Sequence, residues 1–228
     1  MPYLPLLTAL AFVLSPVVVG GFGGFDPGDF PIPQDDPPIQ PAGWAFAIWG
    51  VIYIWLVVHA GFGAVKRREA PDWQPTRLPL SISLAIGAIW IPVANVSPLW
   101  ATALILVMLG TAVVALLRAG PRDRWLLAVP LGLYAGWLTA ASAVSLGLVV
   151  AGYGAMPQTN AALLALVLVL VVALPVMIQR RTVAYQAALV WALMAIGVRG
   201  LDPLTSVAAL AFIMAGGIVI VTMMKRRS

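Results

Sequence analysis

Long apolar runs, punctuated by proline, glycine and short charged clusters, divide the chain into eight segments. They run approximately 3 to 21, 43 to 65, 79 to 96, 98 to 118, 125 to 151, 160 to 178, 182 to 198 and 203 to 224. A helix needs about 20 apolar residues to cross the hydrocarbon core of a bilayer. The pattern therefore predicts an all-α integral membrane protein of eight spans, or of seven if the short seventh segment does not cross. Only Asn95-Val96-Ser97-Pro98 separates the third segment from the fourth, and Pro92 removes a backbone donor inside the third and predicts a bend there. The first segment has no Lys or Arg before it and ends in Val19-Gly20-Gly21-Phe22 rather than in a small-x-small cleavage site, which points to a retained span rather than a signal peptide.

The charges repeat the same division. Lys66, Arg67, Arg68 and Arg77 follow the second segment, Arg118, Arg122 and Arg124 the fourth, Arg180 and Arg181 the sixth, and Lys225, Arg226 and Arg227 the eighth. Every second boundary is basic, and of the 13 cationic residues only Arg199 falls opposite. The positive-inside rule then puts both termini in the cytoplasm. Asp26, Asp29, Asp35 and Asp36 all fall in the loop 22–42, which becomes external and acidic. That loop holds six prolines, a composition that resists regular structure. Long loops of this kind serve either as lids or as solvated linkers.

Composition narrows the functional classes. Hydrophobic residues make up 62% and charged residues 9% of the chain, with a mean hydropathy of +1.00. Soluble domains have roughly 45–50% apolar and about 25% charged residues. The net charge of +5 belongs to the topology-setting runs and gives no nucleic-acid footprint. With no cysteine and a single histidine, disulfides, thiolate nucleophiles, iron–sulfur clusters and Cys- or His-built metal sites are not expected. The spans carry almost no ionisable groups, against an ion pump or proton relay. No nucleophile–base–orienter set is legible, so no catalytic residue is assigned and an enzyme is not indicated.

What remains is aromatic. At 100° per residue, Trp44, Ile48, Val51, Trp55 and His59 share one face of the second span, while Phe46, Trp49 and Tyr53 share another. His59 either ligates a haem iron or, lying near the basic end, reaches interfacial water with its polar tip; its position favours the latter. Trp73 and Trp125 sit beside cytoplasmic charges and read as interfacial belt residues, and Trp44 and Trp100 occupy the same place at the other end. The fifth span carries Tyr134, Trp137, Ala141 and Ser145 on one face, among the small residues Gly136, Ala140, Ser142 and Ala143 that allow close helix approach.

These motifs resemble the tryptophan-rich sensory protein or translocator family (TspO/MBR), also called the peripheral benzodiazepine receptor family. The entry to the family's second span, Pro-Pro, a spacer, Trp, a small residue, Phe, then Trp and Tyr, is similar to Pro41-Ala42-Gly43-Trp44-Ala45-Phe46, Trp49 and Tyr53, with alanine in place of the second proline. Its Asn-x-x-Trp-x-Pro resembles Gly87-Ala88-Ile89-Trp90-Ile91-Pro92, where glycine replaces asparagine. Its fifth-span Tyr-x-x-Trp followed by small and hydroxyl residues matches Tyr134-Ala135-Gly136-Trp137-Leu138-Thr139-Ala140-Ala141-Ser142, with Ser145 where asparagine is usual.

The resemblance covers residues 1–153 and implies a TspO-like five-helix domain with the long external loop 22–42; the apolar pattern adds residues 154–228 as about three additional transmembrane helices packed on it, without counterpart in the short family members. It implies a bacterial inner-membrane protein of receptor or sensor type that binds a porphyrin-like or other flat hydrophobic ligand under the first loop. The ligand-binding residues carried over are Trp44, Phe46, Trp49, Tyr53, Trp90, Tyr134, Trp137 and Ala141. No cofactor is required, although porphyrin or haem fits the family's ligands. A homodimer or a membrane-protein partner is implied beside the bilayer itself. The alternatives are an accessory subunit, a transporter of a hydrophobic metabolite, and light-dependent porphyrin degradation.

Overall fold

A computed structural model describes residues 2–180 and 182–227. Of the basic residues named above, Arg181 and the side chains of Lys225, Arg226 and Arg227 lie outside what it describes. Eight α-helices follow one another: α1 Leu4–Val19, α2 Ile48–Lys66, α3 Gln74–Ala94, α4 Pro98–Arg118, α5 Ala128–Gly152, α6 Gln158–Gln179, α7 Val183–Arg199 and α8 Ser206–Arg227. The element count and order predicted from the apolar runs hold. Six helices are long and apolar enough to cross a membrane, whereas α1 and α7 are shorter, at 16 and 17 residues.

Local chemistry sets the boundaries. Proline in the first turn starts α3 and α4, where its missing N–H would have had no intrahelical partner. Ser97 caps α4 by accepting from Trp100 N–H at 3.4 Å. Pro92 does not interrupt α3, which runs on for two residues before the Asn95–Ser97 turn. Residues Gly43–Ala47, predicted to open the second span as α-helix, form a 3-10 turn instead. The fifth helix starts at Ala128 rather than 125, because residues 120–127 fold as turns around Asp123.

Two groups of helices share α5. On one side α1, α2, α3 and α4 close a five-membered ring with it; on the other α6, α7 and α8 close a four-membered one. Most of α5 is buried accordingly, and one continuous hydrophobic core runs through both groups. Along the α5–α7 contact Gly136 leaves no room for a side chain: a Cβ there would stand 3.0 Å from Ala188 Cβ and would strike the Tyr185 carbonyl. Small residues on facing helices bring the backbones together where the solvent offers no hydrophobic drive.

The basic end is built around Asp123. Its carboxylate receives Arg67 through Nε at 2.6 Å and Nη2 at 3.0 Å, and accepts the Trp73 indole N–H at 3.0 Å. The hydrogen bond from Arg67 holds this carboxyl below the ordinary carboxylate range, with Trp73 adding to the effect and burial opposing it. Two sequence expectations fail here. Trp73 is no belt residue: it is 1% exposed, wedged against Gly63 and stacked on His59 at 4.8 Å. His59 does not reach water either, being 2% exposed, with Nδ1 donating to the Leu126 carbonyl at 2.6 Å. The loop at 119–127 folds over both, a tertiary closure that helix phasing does not reveal. Trp100 and Trp125 are exposed, as an interfacial position requires.

Candidate functional site

A cavity of about 260 Å³ opens inside the five-membered ring, under the loop that joins α1 to α2. The start of α2 supplies its first wall. Trp49 and Tyr53, one helical turn apart, stack at 5.3 Å with their planes 20° from parallel. Phe12 of α1 meets both rings edge-on, at 5.7 Å and 5.1 Å. Trp137 of α5 completes this wall, edge-on to Trp49 and to Phe46, each at 6.0 Å. Edge-to-face pairs at these separations are favoured by the ring quadrupoles and hold the indoles in place.

The opposite wall comes from α3 and α4. Trp90 lines the cavity and donates its N–H to the Ala101 carbonyl at 2.8 Å, which pins the ring to α4. Gly87, where the resemblance expects asparagine, also lines it. A Cβ at this position would lie 2.6 Å from the Phe12 ring and 3.1 Å from Met108, so Phe12 occupies the space an asparagine side chain would need. Ser145, the second departure, faces the cavity as well. Thr102 gives its one hydroxyl proton to the Pro98 carbonyl at 2.7 Å, so Ser145 must donate to Thr102 across 2.6 Å and offers the cavity only lone pairs.

The loop forms the roof. Phe22 packs edge-on against Trp90 at 4.7 Å and against Phe25 at 5.1 Å, and both phenylalanines face the cavity with Gln40 and Pro41. The loop is held by α5, α6 and α7. Ile32 N–H donates to Gly152 O at 2.9 Å, Gln158 to Gln34 at 3.1 Å, and Ala42 N–H to Ala195 O at 3.1 Å. Trp191 donates to Ala45 O at 2.9 Å, and Arg199 pairs with Asp36 at 2.6 Å. Ala192 and Ile196 of α7 reach the cavity itself.

Of the eight residues carried over from the resemblance, the structure brings Phe46, Trp49, Tyr53, Trp90, Trp137 and Ala141 to one cavity. Trp44 stands apart: it is 46% exposed and packs edge-on against Trp191 at 4.9 Å. Tyr134 lies behind the wall, fully buried, in contact with Phe12 and hydrogen-bonded to Ser83 at 2.9 Å. Sequence reasoning missed Phe12, Phe22, Phe25 and the α7 residues. Three phenylalanines, Phe22, Phe25 and Phe30, in a stretch, 22–31, otherwise made of proline, glycine and aspartate were the signal for the roof.

The lining offers a haem iron no histidine, and His59 is committed elsewhere in the fold. Among the described residues no group of His, Asp and Glu is placed to hold a metal. Trp137 Nε1 is a buried donor without a hydrogen-bond partner. The arrangement is suited to stacking and enclosing a flat apolar body.

Fold and cavity together define an all-helical integral membrane protein with an aromatic chamber roofed by a proline-rich loop. The chain belongs to the family of TSPO-like proteins, whose profile matches residues 32–224. The match begins within the α1–α2 loop and ends within α8. No curated protein and no solved structure matches the chain.

Proposed function

We propose that this protein is a membrane receptor or sensor that binds a flat hydrophobic small molecule, porphyrin-like or otherwise, in the cavity beneath the α1–α2 loop. One observation carries the proposal: Trp49, Tyr53, Trp90 and Trp137, from three helices, line a single space that their own side chains leave open. Such a ligand would come from the bilayer, where lipid tails already solvate its apolar surface. Burial then contributes little, and ring-on-ring geometry supplies the selectivity. The same proposal sets the basic end in the cytoplasm of a bacterial inner membrane and the roofed end outside.

The test is a titration with pyrene of the protein in lipid nanodiscs, following energy transfer from tryptophan against protein-free nanodiscs. Saturation at one pyrene per chain is expected. Ala141→Phe, which fills the cavity and spares every tryptophan, should weaken the binding at least about tenfold. A signal that rises in proportion to partitioning, unchanged in the variant, would overturn the proposal.

A further inference from the structure

The cavity has an unusual charge inventory. Its lining contains no Asp, Glu, Lys, Arg or His among the described residues. Its polar side chains are neutral groups: the indoles of Trp49, Trp90 and Trp137, the Ser145 hydroxyl, the Gln40 amide and the Tyr53 phenol. A carboxylate drawn into such a wall would be desolvated without a counter-ion, and an isolated buried ion is among the costliest groups to accommodate.

A ligand could avoid that cost by leaving its charged end outside the chamber, at the roofed end. That end has the wrong sign for an anion. Asp26 and Asp29 flank the turn beside Phe25, Asp35 and Asp36 follow in the same loop, and Asp202 lies beyond α7. Arg199 is the one cation at this end among the described residues, and its Nη2 is already engaged with Asp36 at 2.6 Å. Every other described basic residue belongs to the other end.

From these two facts we infer that the cavity takes an uncharged ligand and rejects carboxylate-bearing ones, including tetrapyrroles that carry two propionates. This rests on the binding reading above and narrows its ligand class. The roof agrees with it, since Phe22, Phe25 and Pro41 line the chamber whereas Asp26, Asp29, Asp35 and Asp36 of the same loop are exposed and do not. A flat amide, ketone or ester keeps the stacking surface and adds no charge.

Matched pairs separate charge from shape. The protein in nanodiscs is titrated at about pH 7 with pyrenecarboxylic acid and its methyl ester, and with protoporphyrin and its dimethyl ester, each corrected for uptake by protein-free nanodiscs. The esters are expected to bind at least about tenfold more tightly than the acids. Gln40→Arg, which brings a cation to the lining, should narrow that ratio. An acid that binds as tightly as its ester overturns the inference and leaves the binding reading standing. Saturation by none of the four probes overturns the binding reading, and the charge inference with it.

Discussion

Asp123 and Asp36 are the two non-glycine residues with a left-handed backbone among those described, at φ of 52° and 45°, and each uses that turn to hold an arginine. Aspartate tolerates this region better than most side chains. The carboxyl of Asp123 lies below its usual range in the folded state, so its contribution is fully present above the unfolded value and disappears as pH falls through the folded one. Asp123→Asn should therefore lower the melting temperature by about 2–4 °C at pH 7. The gap should close as the pH is taken below about 4. Thermal melts of both proteins across that range check it, and a gap that stays constant would be inconsistent. Trp73 shows why this cluster was not legible beforehand. A tryptophan amid arginines reads as interfacial by its neighbours in sequence, while its acceptor, Asp123, lies 50 positions away.

Two buried hydroxyl pairs between the helices share one arrangement. Ser83 gives its proton to Met108 O and so accepts from Tyr134, tying α5 to α3 and α4; Thr139 gives its proton to Ala135 O and accepts from Tyr185, tying α7 to α5. The Thr139–Tyr185 contact locks the α5–α7 seam, whose closeness depends on Gly136. Gly136→Leu should separate α5 from α7 and cost about 1–3 kcal/mol, the usual penalty of overpacking. The denaturant midpoint in detergent reports the loss, and a stability equal to wild type would contradict the close approach. The helices were legible because apolar length and charged boundaries are properties of the sequence alone. Trp44 was not, because a 3-10 turn has three residues per turn and the 100° phasing does not apply to Gly43–Ala47.

For the molecule as a whole, the distribution of charge is the property most amenable to test. The cysteine-free chain allows single-cysteine labelling without background. Asp29→Cys should react with a membrane-impermeant maleimide on intact cells, and Arg122→Cys only after the cells are broken. The reverse pattern would invert the proposed topology. The aromatic chamber was half legible: its walls on α2, α3 and α5 follow motifs in the sequence, but Phe12 and Ile196 arrive from distant helices and only the fold brings them in.

The position of α5 between the two helix groups bears on biosynthesis. A growing chain that has delivered α1 to α5 has every helix of the five-membered ring, yet the Gly136 seam still lacks Tyr185 and Ala188, and the roof still lacks Trp191 and Arg199. The chamber is therefore complete only once α7 has docked. In order of synthesis α7 is the last helix to contribute to it, bringing Ala192 and Ile196 to the lining and Trp191 and Arg199 to the loop that roofs it.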